Sequence, residues 1–362
     1  MLRPARTLLR RPAIWPLVVA SVWACGPADG ATVPGHEPPV VLAAETAFSD
    51  DALGWIVDLA VVGDRIVGLD AMLDPSVHVF DPESLRRRGS YGRRGDGPGE
   101  FKDPEQIVPG APNASGEVLI LDGFHQRLTR LRLDAIEAGI VTDPQTLPMD
   151  GPNAGSLVRA PDGRWFAGGW ITEGRVASYR PDRSYDRTIV GFPADAKAAG
   201  MTLAQAYESR VVAHPDGGRL AAATLLGGLL DIFDYEGVLI ARAAVPDPFR
   251  PSFERGNSRG DKPVMSVGSE TRYGFTDVAA TRRYVYGLFS GGKVLEEGTP
   301  WATNEVQVYT WDGKLVKTLY LDRTVHAVTV DDSDKWLYAS GAEPGPWVGR
   351  FRLPESGSDR AM

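Results

Sequence analysis

An alternating pattern of apolar and polar residues recurs six times along the chain. Each copy ends in an aromatic residue or leucine and is followed by a polar turn, as in VHVFDPES and VQVYTWDG. Alternation with a period of two predicts a half-buried β-strand. The six strand ends lie 42 to 76 residues apart, at Phe80, Leu133, Tyr179, Phe233, Tyr309 and Phe351.

Two further apolar runs lie upstream of each of these strands. The nearer run often follows a DG-type turn, as in DGRWFAGG at 162–169, and the farther run is short, as in VDLAVV at 57–62. Three strands and a connecting strand, repeated six times at about 50 residues, are typical of a β-propeller with four-stranded blades. We therefore predict an all-β, six-bladed propeller of antiparallel blades over residues 40–354.

The two ends of this region predict how the ring closes. Only 11 residues follow Phe351, too few for a turn and another full strand, whereas PVVLAAETAF at 39–48 has a strand pattern and no neighbouring partner. We expect this N-terminal strand to pair with the last blade as its outer strand, because closure by both termini removes open sheet edges. Residues 355–362 would then be a C-terminal tail.

A glycine-rich stretch, GRRGDGPGEF at 92–101, lies between the first and second predicted blades. Its glycines permit turns with positive φ, and its proline fixes one φ. A phosphate-binding loop would need a helix N-terminus after it, but Pro104 and a short strand follow. We therefore interpret it as an inter-blade turn whose aromatic residue plugs the blade junction, formed by Gly95, Gly97, Pro98, Gly99 and Phe101.

This stretch, read as GRRGDGPGEFKDP, resembles the inter-blade signature of NHL-repeat propellers. Together with the six weak blades and an N-terminal cysteine motif, it resembles bacterial six-bladed, TolB-like propeller lipoproteins. The chain departs from that pattern where the apolar run after the glycines ends in IVPG, and where no other junction repeats the glycines. The resemblance implies the propeller fold and no particular reaction.

The N-terminal segment has the features of an export signal. Residues 1–24 carry four arginines followed by the apolar run AIWPLVVASVWA, which is too short to span a bilayer permanently. Cys25 is the only cysteine, and VWAC resembles a bacterial lipobox, although Trp23 is bulkier than usual there. The resemblance implies lipidation of Cys25, and Gly26 implies the outer membrane facing the periplasm. Residues 25–39, rich in glycine and proline, predict a flexible tether.

The charge of the chain argues against nucleic acid as a partner. Its formal net charge is −8, and removal of residues 1–24 takes away four arginines and no acids, which leaves −12. An acidic surface repels phosphate backbones. The membrane, reached through a lipid anchor, and a protein or small molecule of unknown identity therefore remain as partners.

Aligning the six inner strands predicts a set of polar residues at one mouth of the central channel. One interpretation is a ring that contacts a ligand or metal. The alternative is that these residues merely begin their strands and are solvated. The set consists of Asp58, Gln106, Ser156, Arg210, Asp277 and His326.

Catalytic chemistry has little support in the sequence. HExxH and CxxC motifs are absent. Among five histidines only His326, and less clearly His214, approach the predicted axis, so a histidine-based metal site is disfavoured. A divalent metal held by Asp58 and Asp277 stays open as an alternative, but no cofactor is predicted.

Two segments interrupt the blade rhythm. PADAKAAGMTLAQAYES at 193–209 has a helical composition and predicts a cover over one rim of the propeller. The 247–270 segment accounts for most of the largest spacing, and long connections are often functional or disordered. We expect it to be a lid or partner-contact loop, with disorder as the alternative. Its candidate contact residues are Phe249, Phe253, Arg255 and Arg259.

Together these patterns favour an envelope-anchored propeller that acts as a binding or scaffold module for a partner protein or a small envelope ligand at one face. The rival hypothesis is a metal-dependent hydrolase or lyase with its site in the channel. Three or more carboxylate or histidine ligands converging on the axis would favour that rival.

Overall fold

A computed structural model describes residues 39–110, 116–141, 144–196, 198–257 and 263–355. Six antiparallel blades of four strands each, blades I to VI, form a ring in these residues, and the sheet of blade V carries a fifth, parallel strand. The inner strand of each blade contacts the inner strand of the next, and that of blade VI contacts that of blade I. The prediction of a six-bladed, all-β propeller is confirmed.

In each of the first three blades, the chain runs from the inner strand at the channel to the outer strand at the rim. Blade I contains Ile56–Val62, Arg65–Asp70, Val77–Phe80 and Arg87–Tyr91. Blade II contains Pro104–Pro109, Glu117–Asp122, Arg127–Arg132 and Gln145–Pro148. Blade III contains Asn153–Arg159, Trp165–Trp170, Val176–Tyr179 and Tyr185–Val190.

The second half of the ring repeats this order, except that the last outer strand comes from the N-terminal side. Blade IV contains Ser209–Ala213, Leu220–Thr224, Leu230–Phe233 and Leu239–Arg242. Blade V contains Phe275–Ala280, Tyr284–Phe289, Thr303–Thr310 and Leu315–Val325. Blade VI contains Ala327–Val330, Trp336–Gly341, Trp347–Arg352 and Ala44–Ser49.

Ring closure uses the N-terminal segment twice. Ala44–Ser49 pairs antiparallel with Trp347–Arg352, which confirms the predicted outer strand of the last blade. Just before it, Val40–Leu42 pairs parallel with the outer strand of blade V. The segment therefore ties two neighbouring blades together and covers both of their outer edges.

Apolar side chains fill the spaces between neighbouring blades. Each of the six junctions holds its own buried cluster, formed by residues from the two blades that meet there. The second strand of a blade is covered on both faces, and Leu220–Thr224 is buried along its whole length. Apolar packing against the two neighbouring blades stabilises such a strand, so it can be short and need not alternate apolar with polar residues.

The glycine-rich stretch forms a tight connection between blades I and II. Phe101 is fully buried in the cluster between these two blades. Gly92 has a φ of 91°, and a Cβ atom there would lie 2.6 Å from the Phe101 ring. The Glu100 carboxylate accepts hydrogen bonds from the Gly97 amide at 2.9 Å and from Arg93 Nε at 2.7 Å. The amide and arginine donors of this loop therefore bind a carboxylate that belongs to the loop itself.

The remaining elements lie in the connections between the blade strands. A two-stranded parallel pair, Arg93–Arg94 with Glu100–Phe101, braces the glycine-rich stretch. A hairpin of Glu254–Asn257 and Pro263–Ser266 lies before blade V. The α-helices found in the described residues, Leu133–Glu137 and Met201–Ala206, are five and six residues long, and neither could cross a bilayer.

One face of the propeller carries two kinds of connection. A second strand runs antiparallel to its inner strand, so that Asp70 at its end pairs with Ile56 at the start of the inner strand. The loops that enter the inner strands and the loops that join second to third strands therefore share one face. We call it the entry face. It carries the Met201–Ala206 helix and the hairpin before blade V, because both precede inner strands.

Candidate functional site

Most of the predicted channel residues bridge neighbouring blades. Asp58 Oδ2 accepts a hydrogen bond from the Ile107 amide of blade II at 2.6 Å. Gln106 Oε1 accepts from the Leu157 amide of blade III at 2.5 Å. In the same way, Ser156 Oγ accepts from the Val211 amide at 3.0 Å, and Asp277 Oδ2 accepts from the Val328 amide at 2.7 Å. Each of these side chains holds the inner strand of the following blade.

Arg210 occupies the same position in blade IV but bonds differently. A guanidinium has no acceptor atom, so it cannot receive an amide hydrogen bond from blade V. Its Nη1 lies 3.8 Å from Asp277 Oδ1 instead, and 28% of the Arg210 side chain stays exposed. The junction between blades IV and V is therefore held at this level by an ion pair.

The last blade differs from the sequence alignment by one residue. Ala327 pairs with Ser340 as Asp58 pairs with Leu69, so Ala327 holds the ring position that the alignment gave to His326. His326 lies one residue earlier, and its Nε2 donates to the Ile56 carbonyl of blade I at 2.9 Å. It therefore still spans the closing junction of the ring.

β-Bulges precede the ring positions of several blades. The strand register shifts at Val57, Glu105, Gly155 and Thr276, each of which comes just before a ring residue. A bulge inserts one unpaired residue and redirects its side chain. Val57 and Thr276 accordingly line the channel mouth.

A cavity of about 360 Å³ opens at this mouth on the entry face. Its polar lining consists of Arg210, Thr276 and His326, and its apolar lining of Val57 and Leu225. The rest of its wall is aromatic, formed by Trp55, Tyr273 and Trp301. We call this space the mouth cavity.

The aromatic rings of the mouth cavity contact one another. Trp55 stacks on Trp301 with ring centroids 5.9 Å apart and an interplanar angle of 23°. His326 meets Trp55 edge-on at 5.6 Å, and Tyr273 meets Trp301 edge-on at 6.4 Å. The loop of Trp55 is fixed from below, because Asp70 accepts hydrogen bonds from the Gly54 amide at 2.5 Å and the Trp55 amide at 3.2 Å. The rings thus form a preorganised wall.

Acidic side chains surround Arg210. Burial, and then the charge of Asp277, raise the pKa of Asp58 to about 7, while Arg210 opposes this shift. Burial also raises the pKa of Asp277. Burial together with the charges of Asp103 and Glu208 raises the pKa of Glu105 to about 7. Burial raises the pKa of Glu208 as well. The positive charge of Arg210 opposes the rise in pKa of all four acids.

Glu105 and Glu208 flank a residue without a side chain. A Cβ atom on Gly155 would lie 3.3 Å from Glu208 Oε1 and 3.6 Å from Glu105 Oε2. Glu208 Oε2 accepts a hydrogen bond from Trp170 Nε1 at 2.9 Å. Glu105 Oε2 is buried and has no hydrogen-bond partner in the described chain. Two acceptor oxygens therefore face the space left by Gly155.

The hypothesis of a metal held by Asp58 and Asp277 finds no ligand set in the structure. Across the residues that the structure describes, no group of three or more His, Cys, Asp or Glu side chains is arranged to hold a metal ion. Asp58 and Asp277 each accept an inter-blade amide instead. His214 is also used otherwise, since its Nε2 bonds the Arg282 carbonyl at 3.0 Å.

The predicted contact loop lies against the propeller through its aromatic residues. Phe249 packs edge-on against Phe289 at 6.3 Å, with the Arg272 guanidinium 4.2 Å from its ring centroid. Phe253 joins an apolar cluster with the Met201–Ala206 helix. Arg255 lies on the hairpin strand Glu254–Asn257. Arg259 and the lipidation candidate Cys25 lie outside the described residues.

Sequence reasoning missed several residues of this site. Trp55, Tyr273 and Trp301 were not singled out, because two of them precede inner strands and one lies in an irregular connection. Glu105 and Glu208 were missed although each lies within two residues of a predicted ring residue. For Glu105, its place directly before a ring residue was the available signal, since a bulge redirects such a side chain.

Comparisons with known proteins agree with the fold. Residues 184–333 match the family model of TolB-like 6-blade propeller-like proteins. A solved member of the DUF4221 family from Bacteroides vulgatus superposes with a TM-score of 0.55 at 12% identity, covering 87% of this chain and 98% of that chain. The structure of U3-55K gives a TM-score of 0.53 at 11% identity, covering 85% of this chain and 98% of that one.

A third solved structure, the hydrazine synthase of Kuenenia stuttgartiensis, gives a TM-score of 0.50 at 11% identity, with 85% of this chain and 98% of that chain covered. At such identities the likeness concerns the fold alone. No curated protein matches the chain. The chain is therefore a six-bladed β-propeller, and residues 184–333 are similar to the TolB-like family model.

Proposed function

We propose that the chain is a binding module that takes its ligand in the mouth cavity on the entry face. The observation that carries this proposal is the wall of Trp55, Tyr273 and Trp301 around a space of about 360 Å³. Concave, mostly apolar sites with a few convergent polar groups are typical of small-molecule binding. The ligand is a free small molecule or the protruding side chain of a partner protein.

The surface around the cavity supports a binding role for this face. Loops that join second to third strands, or the strand ends beside them, expose large apolar side chains in four blades. Phe124 is 63% exposed, Leu295 61%, Met72 59% and Trp170 41%. Exposed apolar residues that gather on one face mark interaction surfaces.

Ligand-observed NMR with a library of small organic fragments tests this proposal. Fragments that bind the full chain should lose their saturation-transfer signal in Trp301→Leu, which removes one stacked ring. They should keep it in Trp336→Leu, because Trp336 begins a second strand at the opposite face, under Arg350. Fragments that bind both variants equally well would place the ligand site elsewhere and refute the proposal.

We also propose that the module is attached to the outer membrane, facing the periplasm, through a lipid on Cys25. The support is the sequence pattern of residues 1–25 and the Gly/Pro-rich tether that follows. Two or three acyl chains hold a protein on a bilayer stably, at about 0.8 kcal/mol per buried methylene. Labelling with radioactive palmitate should be lost in Cys25→Ala, and labelling that persists in this variant would refute the anchor.

A further inference from the structure

We propose that the mouth cavity selects organic anions, namely a carboxylate carried on a flat aromatic or apolar body, and that Arg210 binds the carboxylate. The inference rests on the proposed function, because it assigns a ligand class to the same cavity. Among the described residues that line the cavity, Arg210 alone carries a charge near neutral pH. Its hydrogen-bond donors and the aromatic wall border the same space.

The guanidinium of Arg210 keeps its donors for a ligand. It has five N–H donors, yet within the described chain it donates no hydrogen bond, and its ion pair with Asp277 is 3.8 Å long. Arg175 shows how a structural arginine differs, because it is 4% exposed and donates to Asp231 at 2.6 Å and to Thr224 at 2.9 Å. Since buried structural donors are normally paired, the unpaired, 28% exposed side chain of Arg210 indicates a group that is available to a ligand.

A carboxylate on an aromatic body matches both parts of the lining. A guanidinium binds a carboxylate through two parallel N–H···O bonds, and such charge-assisted bonds are stronger than neutral ones. Trp55, stacked on Trp301 at 5.9 Å, and Tyr273 border the same cavity and can pack against a flat apolar body. Because one guanidinium balances one negative charge, a singly charged carboxylate fits this lining better than a dianionic phosphate.

The acids around Arg210 lie outside the space that the ligand would occupy. None of the four is among the described residues that line the mouth cavity: Asp58, Glu105, Glu208 and Asp277. Asp58 and Asp277 each accept an inter-blade amide. Burial raises the pKa of all four acids, and those of Asp58 and Glu105 reach about 7. These carboxyls therefore take up protons near neutral pH and leave part of the charge of Arg210 unbalanced.

The binding of an anion and the protonation of these acids are therefore coupled. Ionisation of the acids, as the pH rises through about 7, returns balancing negative charge to Arg210 and weakens its attraction for the ligand. The other titratable side chains of the lining stay neutral between pH 6 and pH 8, because burial lowers the pKa of His326 to about 4 and raises that of Tyr273. The affinity for a carboxylate should fall by about 3- to 10-fold from pH 6.0 to pH 8.0.

Three probes of similar shape and different charge test the inference. The compounds 3-phenylpropanoate, 3-phenylpropanamide and 3-phenylpropylammonium share a phenyl ring and a three-carbon chain. Their dissociation constants for the full chain are measured by isothermal titration calorimetry at pH 6.0 and pH 8.0. At pH 6.0 we expect the carboxylate to bind about 10-fold more tightly than the amide, and the ammonium to bind most weakly. The amide should bind equally well at both pH values.

Substitution of Arg210 connects this preference to the named side chain. Arg210→Gln introduces the residue type that Gln106 provides at the same ring position, where it accepts the Leu157 amide, so the fold should tolerate it. This variant should reduce the preference for the carboxylate over the amide to about 2-fold or less. Binding of the amide should persist and shows that the cavity is intact. Arg86→Gln, exposed before the outer strand of blade I at the opposite face, should retain the full preference.

The carboxylate could belong to a free organic acid or to the C-terminus of a partner protein that ends in an aromatic residue. A pentapeptide of glycine and serine that ends in phenylalanine, with a free or an amidated C-terminus, distinguishes these sources. Preference for the free C-terminus, lost in Arg210→Gln, would support the proposal with a protein chain end as the ligand. Preference for 3-phenylpropanoate without any binding of the peptide would support it with a free acid as the ligand.

The outcomes separate this inference from the proposed function. If the three small probes bind with equal affinity at pH 6.0, the ammonium binds most tightly, or Arg210→Gln keeps the full preference, the inference is overturned while the cavity remains a binding site. If neither the probes nor the peptide binds but other fragments respond to Trp301→Leu, the carboxylate class is again overturned and the proposed function stands. Carboxylate binding that is equal at both pH values overturns the coupling to the acids. Failure of all fragments to respond to Trp301→Leu overturns both the inference and the proposed function.

Discussion

Two junctions of the propeller use the same position in opposite ways. Between blades II and III, Gln106 accepts the Leu157 amide at 2.5 Å and holds the next inner strand. Between blades IV and V, Arg210 stands at that position, pairs with Asp277 only at 3.8 Å and lines the mouth cavity. We call junctions closed by an amide hydrogen bond, those after Asp58, Gln106, Ser156 and Asp277, the sealed junctions.

At the junction between blades IV and V, a partly exposed charged group replaces the inter-blade hydrogen bond. An arginine at the ring position cannot accept the amide of the next blade, yet it places a cation at the cavity. The longest connection of the chain, which includes the hairpin Glu254–Asn257 and Pro263–Ser266, also enters the ring at this junction. Breaks in an otherwise regular pattern are the expected location of functional sites.

The largest effect is expected from the core of a sealed junction. Phe101→Ala removes a fully buried ring between blades I and II and should lower the free energy of unfolding by about 3–5 kcal/mol. The cavity left behind cannot collapse easily, because the Gly92 backbone packs directly on the ring. Urea denaturation monitored by tryptophan fluorescence measures the change.

The comparison variant for this prediction lies at the junction between blades IV and V, which we call the open junction. Phe249→Ala removes a ring that is only partly buried and lies under the Arg272 guanidinium. Its loss of stability should be clearly smaller than that of Phe101→Ala. Equal losses would show that the junction between blades IV and V is packed as tightly as the sealed ones.

A smaller effect is expected from the ring hydrogen bonds. Gln106→Ala leaves the Leu157 amide without its acceptor and should cost about 1–3 kcal/mol of stability. Gln145→Ala removes the same side chain from an exposed outer strand and should stay within about 0.5 kcal/mol of the parent. If both variants unfold at the same urea concentration as the parent, the ring bonds contribute nothing to holding the blades together.

The sequence predicted the framework of this comparison well. Alternation and spacing predicted six blades, and the unpartnered strand at 39–48 predicted closure of the last blade. They did not predict that Val40–Leu42 pairs with blade V, because a parallel pairing between distant segments produces no local pattern. Inner-strand alignment found Asp58, Gln106, Ser156, Arg210 and Asp277, since each lies near the start of its inner strand.

The candidate site was harder to predict than the fold. In blade VI the alignment was one residue out, because His326 occupies the place that bulged residues take in other blades. Trp301 lies 12 residues after the end of its blade's second strand, in a connection without periodicity, so no pattern linked it to Trp55. The sequence also could not show that the ring residues serve adjacent blades, since that depends on three-dimensional packing.

The smallest predicted effect concerns Asp58, where the two kinds of junction meet. Asp58 seals the junction between blades I and II. Burial of Asp58, and then the charge of Asp277 at the open junction, raise the pKa of Asp58 from 3.8 to about 7. Between these values the folded protein keeps a proton that the unfolded chain releases. The contribution of this carboxyl to stability is therefore fully present below about pH 4 and is lost as the pH rises to about 7.

Asp58→Asn should flatten this pH dependence, because the amide oxygen can still accept the Ile107 amide while the charge is gone. We expect the fall in stability between pH 4.5 and pH 7.5 to shrink by at least about 1 kcal/mol relative to the parent, measured by urea denaturation at both pH values. Asp162→Asn, on an exposed turn at the opposite face, should leave the fall unchanged. If Asp58→Asn also leaves it unchanged, Asp58 is ionised across this range, and the repulsion between Asp58 and Asp277 is fully offset by Arg210.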